Sequence, residues 1–374
     1  MRVAIIGQGY VGLPLAEGLA NTKTQAEVIG FDINEKTVTA LNAGTSHIDD
    51  ISDAALQKMI ANGYRATANQ ADIAEGDVVV ICVPTPLYET GEPDLTYVES
   101  AVSMTAANLK PGALVILEST TYPGTTEELV RPMLEAGNRV LDKDFYLAFS
   151  PERIDPGNPK YGITNTPKVV GGSSAESTKR SVAFYSSFIE TVIETVGTRE
   201  AETAKLLENT YRHVNIALMN EMAMFCHELG IDIWEVIRLA SSKPYGFQAF
   251  YPGPGVGGHC IPVDPNYLSY EVRRRLGTPF RFIEIATDIN SGMPAYVVNR
   301  IQDLLNDQSK ALKGSKVLLL GVTYKPDIAD LRESPSLEIA ELLLEKGTDM
   351  IFHDPHANSF RLHGEVLQGV SDLD

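Results

Sequence analysis

Cysteine is scarce in this sequence of 374 residues, which contains three: Cys82, Cys226 and Cys260. Three scattered cysteines exclude a disulfide framework, and none has the spacing of a zinc finger, so we predict no metal site. Cys82 lies in an apolar run and Cys226 in a helical stretch, and both are predicted to be small core residues. Cys260 differs, because glycine and proline surround it in "GPGVGGHCIPVDP", residues 253–265.

Positive charge is also scarce, because the sequence has 31 Lys and Arg but 49 Asp and Glu, which gives a formal net charge of -18. A nucleic-acid-binding surface requires clustered basic residues, so that class of function is disfavoured. The sequence has no apolar run long enough to span a bilayer, and its start, "MRVAIIGQGYVG", enters a strand-and-turn pattern without a signal peptide. We therefore expect a cytoplasmic protein with no nucleic-acid partner and no membrane partner.

Short β-branched runs alternate with helical patterns in the first half of the chain. The strand candidates are "RVAIIG", "AEVIGFD", "DVVVICV", "GALVILEST" and "FYLAFS". This alternation predicts a doubly wound parallel sheet. No Gly or Pro interrupts residues 200–229, which predicts a long helix, and helical patterns continue to about residue 312.

A second strand-and-turn unit begins at "GSKVLLLGVTYKPD" and continues through a helix into "DMIFHDP". The roughly sixty residues after Lys313 are too few for an independent open sheet. We therefore expect a second α/β domain that is incomplete in this chain.

The first motif with chemistry is "GQGYVG", which lies between a predicted strand and a predicted helix and is followed by an acid at the end of the next strand. The glycines let the backbone approach a pyrophosphate at the helix N-terminus, and the acid binds the ribose hydroxyls and repels a 2′-phosphate. The alternative is a glycine turn without a ligand. The predicted NAD site consists of Gly7, Gly9, Tyr10, Val11, Gly12 and Asp32.

Polar side chains follow the predicted strands of the first sheet, at the edge where such folds bind their ligand. Thr85 and Thr120 are predicted to contact cofactor or substrate, although either hydroxyl is also typical of a strand-end cap. Glu152, in "SPER", is predicted to orient a water molecule. The alternative for Glu152 is an ion pair with Arg153 or another basic group.

The long helix places Lys205 and Asn209 four residues apart and therefore on one face. A helical lysine on an acidic protein is more often a solvated charge than a functional group. Taken alone, the pair therefore carries little functional weight.

The glycine-rich loop leaves Cys260 accessible to a substrate carbon, whereas a core cysteine lies among branched apolar residues. A thiol with the ordinary pKa of about 8.5 is mostly protonated at neutral pH, so catalysis requires a cation or donor such as His259 or Lys205. Asp264 can act as a general base. The alternative is a structural turn with an incidental thiol.

An NAD site and a reactive thiol in one chain indicate a specific chemistry. Hydride removal from a primary alcohol gives an aldehyde, which a thiolate traps as a thiohemiacetal. A second hydride removal gives a thioester, which water hydrolyses. The combination predicts a four-electron oxidation of an alcohol to an acid.

The whole sequence resembles the UDP-glucose / UDP-N-acetylhexosamine / GDP-mannose dehydrogenase family. The motifs that carry the resemblance are, in order, "GQGYVG", "STTYPGT", "FSPERIDPGN", "AETAKLLENTYRHVNIALMNE", "GVGGHCIPVDP" and "GVTYKPDIADLRES". The resemblance implies an α/β protein with two Rossmann-like doubly wound domains, joined by a long central helix and a helical middle domain that forms a homodimer. We place the NAD-binding domain at residues 1–199, the middle domain with the cysteine loop at 200–312, and the truncated UDP-binding domain at 313–374.

The resemblance also implies roles for individual residues. Cys260 matches the nucleophile, and Asp264 matches an aspartate that positions and activates water. Lys205 and Asn209 match residues that stabilise the alkoxide and hold the sugar, while Glu152 matches the acid of thioester hydrolysis. Further matches are Thr120 near the reacting carbon and Arg332 reaching the NAD. The predicted residues that bind the UDP-sugar are Glu152, Arg153, Lys205, Asn209, Tyr251, Gly257 and Lys325.

Two departures bear on the substrate. Pro156 stands where UDP-glucose enzymes usually carry a second glutamate, and Val263 where they often have lysine. The motifs "PERIDPGN" and "FYPGPGVGGHCIPVDP" are more similar to enzymes acting on UDP-N-acetylglucosamine or UDP-N-acetylmannosamine. We therefore predict an NAD-dependent UDP-N-acetylhexosamine 6-dehydrogenase that makes a uronic acid for polysaccharide biosynthesis.

Three alternatives to this prediction stay open. The first is a UDP-glucose 6-dehydrogenase of the same mechanism. The second is a two-electron dehydrogenase of the β-hydroxyacid type, in which Cys260 is incidental. The third is an NAD-binding protein without catalytic activity.

Overall fold

The computed structural model of the chain describes residues 1–22, 26–48, 50–155, 158, 160–258 and 260–371. The chain forms two compact units, Met1–Leu207 and Glu208–Asp374, called unit 1 and unit 2 below. Pro156 and His259 lie outside the described residues. The division into domains at residues 199 and 312 stays a prediction.

Unit 1 contains one large sheet. Its strands are β1 Arg2–Ile6, β2 Glu27–Phe31, β3 Tyr64–Thr67, β4 Val78–Ile81, β5 Ala113–Leu117, β6 Phe145–Phe149, β7 Lys168–Gly172 and β8 Val192–Glu194. They are ordered β3-β2-β1-β4-β5-β6-β7-β8, with β3 to β6 parallel and β7 antiparallel to β6. The order of the first six strands is that of a Rossmann-type sheet, which binds ligands beyond the carboxyl ends of its strands.

Helices cover both faces of this sheet. They are α1 Gly12–Ala20, α2 Glu35–Asn42, α3 Asp53–Ala61, α4 Thr96–Asn108, α5 Arg131–Glu135 and α6 Ala175–Tyr185, with a 3-10 turn at Gln70–Glu75 and a π-helical turn at Thr126–Val130. Alternate residues of β1 enter two different cores, Val3 and Ile5 with Leu13 of α1, and Ala4 and Ile6 with Val98 of α4. Because both faces are buried, the central strands are continuous apolar runs.

The five strands that the sequence predicts in this sheet are all present, and β3, β7 and β8 add to them. These three additional strands have weak sequence signals. The segment of β3, "YRAT", is short, β7 ends in two glycines, and β8 has three residues that are partly or fully exposed. Glycine and short length both weaken a strand pattern.

A long helix, α7 Thr198–Glu228, begins in unit 1 and ends in unit 2. It agrees with the helix that the sequence predicts. The other elements of unit 2 are α8 Ile233–Ala240, α9 Asp264–Leu276, α10 Arg281–Asp307, β9 Lys316–Leu320, α11 Pro335–Glu345, β10 Asp349–His353, β11 Ser359–Leu362 and β12 Glu365–Gln368.

The carboxy-terminal part of unit 2 has its own core, which includes Val298 of α10, Leu343 of α11 and Phe352 of β10. The strands β9 and β10 pair in parallel, and β11 and β12 form an antiparallel pair. Among the helices of the described ranges, none combines the length and the apolar character needed to cross a lipid bilayer.

Candidate active site

The glycine motif forms a tight turn between β1 and α1. Gly7 has φ +92°, and a Cβ there would lie 2.5 Å from the carbonyl oxygen of Cys82. A Cβ on Gly12 would lie 1.8 Å from the carbonyl oxygen of Gly7. A Cβ on Gly9 would meet nothing within 4 Å, so the middle glycine borders open space. Two glycines are therefore required by packing, while the third leaves room where a pyrophosphate approaches in dinucleotide-binding turns.

The acid at the end of β2 is tied to this turn. The backbone N–H of Gln8 donates to Asp32 Oδ2 at 3.0 Å, and Asn34 N–H donates to Asp32 Oδ1 at 2.9 Å. The buried side chain of Gln8 accepts a hydrogen bond from the Tyr64 hydroxyl at 2.8 Å. The turn and the carboxylate thus have a fixed spacing, which fits the phosphate and ribose of one dinucleotide. Tyr10 is exposed and Val11 half-buried beside them.

The predicted threonines lie beyond the ends of β4 and β5. Thr85 is buried and Thr120 is half-buried. The next residue, Thr121, is not among the predicted site residues; it is fully buried, and its hydroxyl makes no hydrogen bond within the described part of the chain. An unsatisfied buried hydroxyl is costly, so it marks a position where a ligand group or water is expected.

Lys205 of α7 is buried, so the interpretation of this residue as a solvated charge is wrong. Its Nζ donates to the backbone oxygen of Glu152 at 2.7 Å, which brings two predicted site residues together. Glu152 is also buried and forms the ion pair that its alternative interpretation allowed, but with Lys168. Arg153 donates its backbone N–H to Glu152 and its guanidinium to the carbonyl oxygen of Pro167.

Glu152 belongs to a group of buried charges whose other members are not among the predicted site residues. We call Glu118, Glu152, Lys168 and Tyr185 the acid–lysine cluster. Lys168 Nζ lies 3.1 Å from Glu118 Oε2 and 3.3 Å from Glu152 Oε2, and the Tyr185 hydroxyl donates to Glu118 Oε1. All four residues are at least nine-tenths buried. Glu118 follows β5, Lys168 begins β7 and Tyr185 ends α6, so the cluster forms only when these elements pack.

The two acids of the cluster differ in their affinity for protons. Burial raises the pKa of Glu118 to about 7, although Lys168 opposes the shift. Burial also disfavours the charged form of Glu152, but Lys168, the N–H of Ile154 and Lys205 outweigh it and lower the pKa. Lys168 loses solvation on burial, yet its pKa is raised because both carboxylates favour the ammonium. At neutral pH Glu152 is therefore ionised, while Glu118 is near its midpoint.

The cysteine loop lies in unit 2. Cys260 is exposed, whereas Cys82 and Cys226 are buried as the sequence predicts. The carbonyl oxygen of Cys260 accepts a hydrogen bond from the N–H of Asp264, the first residue of α9, at 2.9 Å. Asp264 is buried, and its carboxylate accepts a hydrogen bond from Asn209 Nδ2 at 2.5 Å. The structure thus brings three predicted residues together within unit 2.

The glycines before the cysteine pack against the segment that carries the predicted Lys325 and Arg332. A Cβ on Gly257 would lie 2.7 Å from Tyr324 Cβ, and Gly258 has φ +83° with a Cβ position 2.7 Å from the ring of Tyr324. The N–H of Gly258 donates to the carbonyl oxygen of Arg332 at 3.0 Å, and the Arg332 guanidinium pairs with Asp330. The presence of glycine at positions 257 and 258 is therefore explained by close packing against Tyr324, and not only by access of a substrate to the Cys260 thiol.

A second buried polar group, which we call the amide–imidazole network, supports the start of this loop. It comprises His213, Asn220, Thr287 and Asn290. Asn220 Nδ2 donates to Asn290 Oδ1 and its Oδ1 accepts from the N–H of Gly253, both at 2.9 Å. His213 lies within hydrogen-bond distance of Thr287 and Asn290, at 3.2 and 3.3 Å. Burial lowers the pKa of His213 to about 4, so the network is neutral at pH 7.

Tyr251, a predicted sugar-binding residue, lies on the exposed surface of unit 2. Its ring is exposed and stacks on Trp234 of α8, with 6.1 Å between the ring centroids. The contact of Tyr251 with a sugar stays a prediction.

Comparison with known families matches three consecutive parts of the chain. The model of the UDP-glucose/GDP-mannose dehydrogenase family, NAD binding domain, matches residues 1–189. The central domain of the same family matches residues 199–292, and its UDP binding domain matches residues 318–373.

Individual relatives agree with this assignment. A UDP-N-acetyl-D-mannosamine dehydrogenase of Methanococcus maripaludis is 37% identical over 363 residues, which are 96% of this chain and 81% of the relative. The solved UDP-D-ManNAc dehydrogenase of Pyrococcus horikoshii has a TM-score of 0.89 at 34% identity, covering 96% of this chain and 84% of that one. A UDP-glucose dehydrogenase of Pyrobaculum islandicum has a TM-score of 0.85 at 30% identity, covering 95% and 82%.

These matches confirm the predicted fold class and NAD as the cofactor. The individual site residues stay predictions. Three matched family domains and relatives that align with nearly the whole chain leave one assignment: the protein belongs to the UDP-glucose/GDP-mannose dehydrogenase family and is an NAD-dependent nucleotide-sugar dehydrogenase that acts on CH–OH groups.

Proposed function

We propose that this protein oxidises the C6 primary alcohol of a UDP-N-acetylhexosamine to the carboxylate in a four-electron reaction. The observation that carries the proposal is the exposed Cys260, whose carbonyl oxygen is hydrogen-bonded to the N–H of Asp264, beside the buried pair of Asn209 and Asp264. A dehydrogenase that stops at the aldehyde or ketone needs no nucleophile, whereas an oxidation to the acid does.

The turn of Gly7, Gly9 and Gly12 and the carboxylate of Asp32 hold the dinucleotide in this proposal. NAD held there would supply the hydride acceptor for each of the two oxidations, so two NADH would accompany each carboxylate formed. The residues of the turn would bind and orient the pyrophosphate, because backbone N–H groups at the start of a helix such as α1 attract an anion.

The sulfur of Cys260 forms the covalent bond. As a thiolate it adds to the aldehyde carbon and gives a thiohemiacetal, and the second oxidation turns this into a thioester. Water then attacks the thioester carbon, the acid is released and the sulfur leaves as thiolate. One water is consumed, and the carboxylate retains its oxygen.

Buried charged residues have two roles in this sequence of steps. Lys205 stabilises the alkoxide through its ammonium, which has three donors and uses one of them on Glu152. Asp264, oriented by Asn209, and Glu152, oriented by the N–H groups of Arg153 and Ile154, accept protons from the alcohol or water.

Replacing the nucleophile tests the proposal. In Cys260→Ser we expect the first NADH to form and acid production to fall by about 100-fold or more, because a serine hydroxyl is a poor nucleophile at neutral pH. The buried Cys226→Ala is the matched control and should keep full activity. Two NADH per acid and an acylated peptide containing residue 260 after acid quenching support the mechanism. One NADH per oxidised sugar would instead identify a two-electron dehydrogenase in which the thiol is incidental.

The acetamido sugar is supported by the relatives named UDP-N-acetyl-D-mannosamine dehydrogenase. The second candidate is UDP-glucose, favoured by the TM-score of 0.85 to the UDP-glucose dehydrogenase. Incubation with NAD and each of UDP-N-acetylmannosamine, UDP-N-acetylglucosamine and UDP-glucose decides between them. We expect kcat/KM to be at least about 100-fold higher for an acetamido sugar, since buried polar partners of the amide would be left unpaired by glucose. Equal or better use of UDP-glucose contradicts the assignment.

We also propose that a second copy of the chain packs on α7. The helix exposes a stripe of large apolar side chains. Exposure of such a stripe to water is unfavourable, so it indicates a surface that another chain covers. The stripe consists of Leu207, Tyr211, Leu218, Met222 and Phe225. Light scattering should give a dimer mass for the native chain and a monomer mass for Leu218→Asp; a monomeric native chain contradicts the proposal. The cytoplasmic location and the supply of uronic acid to a polysaccharide stay predictions.

A further inference from the structure

The acid–lysine cluster contains more acidic charge than one lysine neutralises. Glu118 and Glu152 both face Lys168 from distances of 3.1 and 3.3 Å, so one ammonium is shared by two carboxyl groups. Buried ion pairs contribute little to stability, and an excess charge in the interior is costly. Lys205 also favours the charge of Glu152, whereas the cation beside Glu118 is the shared Lys168, so packing alone gives no reason to place this second acid here.

The hydrogen bonds of the two acids are unequal. Glu152 Oε1 accepts from the N–H groups of Arg153 and Ile154, and these donors favour a carboxylate. Glu118 Oε1 accepts from the Tyr185 hydroxyl, and Oε2 lies 3.1 Å from Lys168 Nζ in a buried ion pair. Glu118 Oε2 is thus a buried oxygen within reach of a proton on Lys168.

The charged and titratable groups around Glu118 come from several elements. Lys168 of β7 favours its ionised form, whereas Glu152 after β6, the hydroxyl of Tyr185 of α6 and the thiol of Cys82 after β4 face it from the other sides. Burial raises the pKa values of the Cys82 thiol and the Tyr185 hydroxyl well above their usual range, so both stay neutral at pH 7. Glu118 is consequently the group in this cluster that changes charge near pH 7.

We propose that Glu118, Lys168 and Glu152 form a proton relay, in which Glu118 stores the proton that Glu152 takes from the water that hydrolyses the thioester. This inference rests on the proposed function of Glu152. Neither Glu118 nor Lys168 touches the reacting atoms in this scheme; both act through Glu152.

The transfer balances without a further reactant. Glu152 accepts a proton from water as the water oxygen bonds to the thioester carbon. Lys168 then gives one of its three protons to Glu118 Oε2 and receives the proton held by Glu152. The lysine stays an ammonium, Glu152 returns to a carboxylate and one negative charge is removed from Glu118. No electrons are transferred, and Glu118 later loses its proton to solvent.

The test is Glu118→Gln, which keeps the size of the side chain and an acceptor for Tyr185 but cannot take up a proton. Stopped-flow absorbance follows the first NADH, and rapid acid quenching with intact-mass analysis follows the thioester. We expect the first oxidation to change by less than about twofold, while hydrolysis slows by about 10-fold or more and the thioester accumulates. The surface variant Glu176→Gln, which removes a carboxylate from an exposed ion pair with Arg180, is the matched control.

The pH profile separates a relay from a structural brace. Glu118 accepts a proton only when it is ionised, so hydrolysis in the native chain should accelerate as pH rises through about 7. Glu118→Gln should lose this step. Tyr185→Phe keeps every charge but removes a donor to the carboxylate, so it should move the step to higher pH. Equal slowing of all steps in Glu118→Gln, with the pH step retained, would overturn the relay.

Glu152→Gln distinguishes failure of the relay from failure of the proposed function. If Glu152→Gln hydrolyses the thioester at the native rate, the assignment of Glu152 is wrong and the relay falls with it. If Glu152→Gln is impaired and Glu118→Gln is not, the role of Glu152 stands and the relay alone is refuted. Slow hydrolysis in both, with a fast first oxidation, supports both assignments.

Discussion

The two units of this protein bury polar groups in opposite ways. Unit 1 contains the charged acid–lysine cluster, in which Lys168 lies between two carboxyl groups. Unit 2 contains the amide–imidazole network, in which two asparagines, a threonine and a histidine exchange hydrogen bonds without a net charge at neutral pH. A charged network can store or release protons, whereas a neutral network fixes geometry over a wide range of pH.

The pH responses of the two networks have opposite signs. The pKa of Glu118 is raised to about 7, so the folded state binds more protons than the unfolded state above the ordinary pKa, and this contribution to stability falls as pH rises towards 7. The pKa of His213 is lowered to about 4, so the folded state binds fewer protons, and its contribution falls as pH drops from 6.5 towards 4. Between pH 7 and 4.5, acidification thus favours the charged cluster through Glu118 and disfavours the neutral network through His213.

Removing the central cation should have the largest effect. Lys168→Met removes the cation beside Glu118 and leaves Glu152 with Lys205, and we expect it to lower the free energy of unfolding by about 3 to 5 kcal/mol at pH 8. Part of the loss should be recovered at pH 5, because both acids can then be protonated. Urea denaturation at the two pH values measures the difference, and a loss that is independent of pH would show that the cluster is not charged as described.

Removing the imidazole should have a smaller effect that is confined to acid. His213→Gln deletes a group whose pKa burial lowers from 6.5 to about 4. The stability of the native chain should fall relative to the variant by up to about 3 kcal/mol between pH 6.5 and pH 4. Hydrogen exchange of unit 2 peptides at pH 6.5 and 4.5 tests this; parallel pH dependence in both proteins would mean that His213 is charged when folded.

Breaking the neutral network at Asn220 should lower the free energy of unfolding by a similar or smaller amount than the effect at His213, and this loss should not depend on pH. Asn220→Ala leaves Asn290 Oδ1 and the N–H of Gly253 without their partners, which costs about 1 to 3 kcal/mol. Amide exchange should accelerate in the loop that begins at Gly253, and the loss should be equal at pH 6 and pH 8. A loss that varies over this range would assign charge to the network.

The smallest effect is expected at the surface. Glu176→Gln breaks an exposed ion pair with Arg180, for which salt screening leaves about 0.5 kcal/mol or less. Raising the salt concentration should remove even this difference, while the effect of Lys168→Met should persist. Equal salt sensitivity of the two variants would indicate that water reaches the acid–lysine cluster.

The features that can be predicted from the sequence are those that depend on residues close to one another in the chain. The strand, glycine turn and helix lie within one short segment, residues 2–20, and Asp32 follows at a fixed spacing. The dinucleotide site can therefore be predicted from the order of the residues alone. The long uninterrupted helix is equally local. The cysteine loop is recognisable because glycine and proline are conspicuous together.

The acid–lysine cluster depends on contacts that no local pattern encodes. Glu118 and Lys168 are 50 residues apart and meet because β5, β6 and β7 are adjacent in the sheet, while β7 itself has a weak strand signal. Glu118 ends an apolar run and Lys168 begins one, which is a hint that both charges are buried. The amide–imidazole network is equally hidden, since it joins residues of α7 and α10 with the N–H of Gly253.

The contact between the cysteine loop and the ring of Tyr324 has an evolutionary consequence. Position 258 has no space for a methyl group while that ring is present, and its backbone is one that residues with side chains rarely adopt. At position 257 a Cβ would lie 2.7 Å from both the Tyr324 Cβ and the backbone oxygen of Glu333. A smaller residue at position 324 would remove the ring contact at position 258, whereas position 257 would still meet the backbone of Glu333. A mutant library that randomises the thiol loop alone should therefore return mainly the parental glycines, and one that also varies position 324 should still return glycine at position 257.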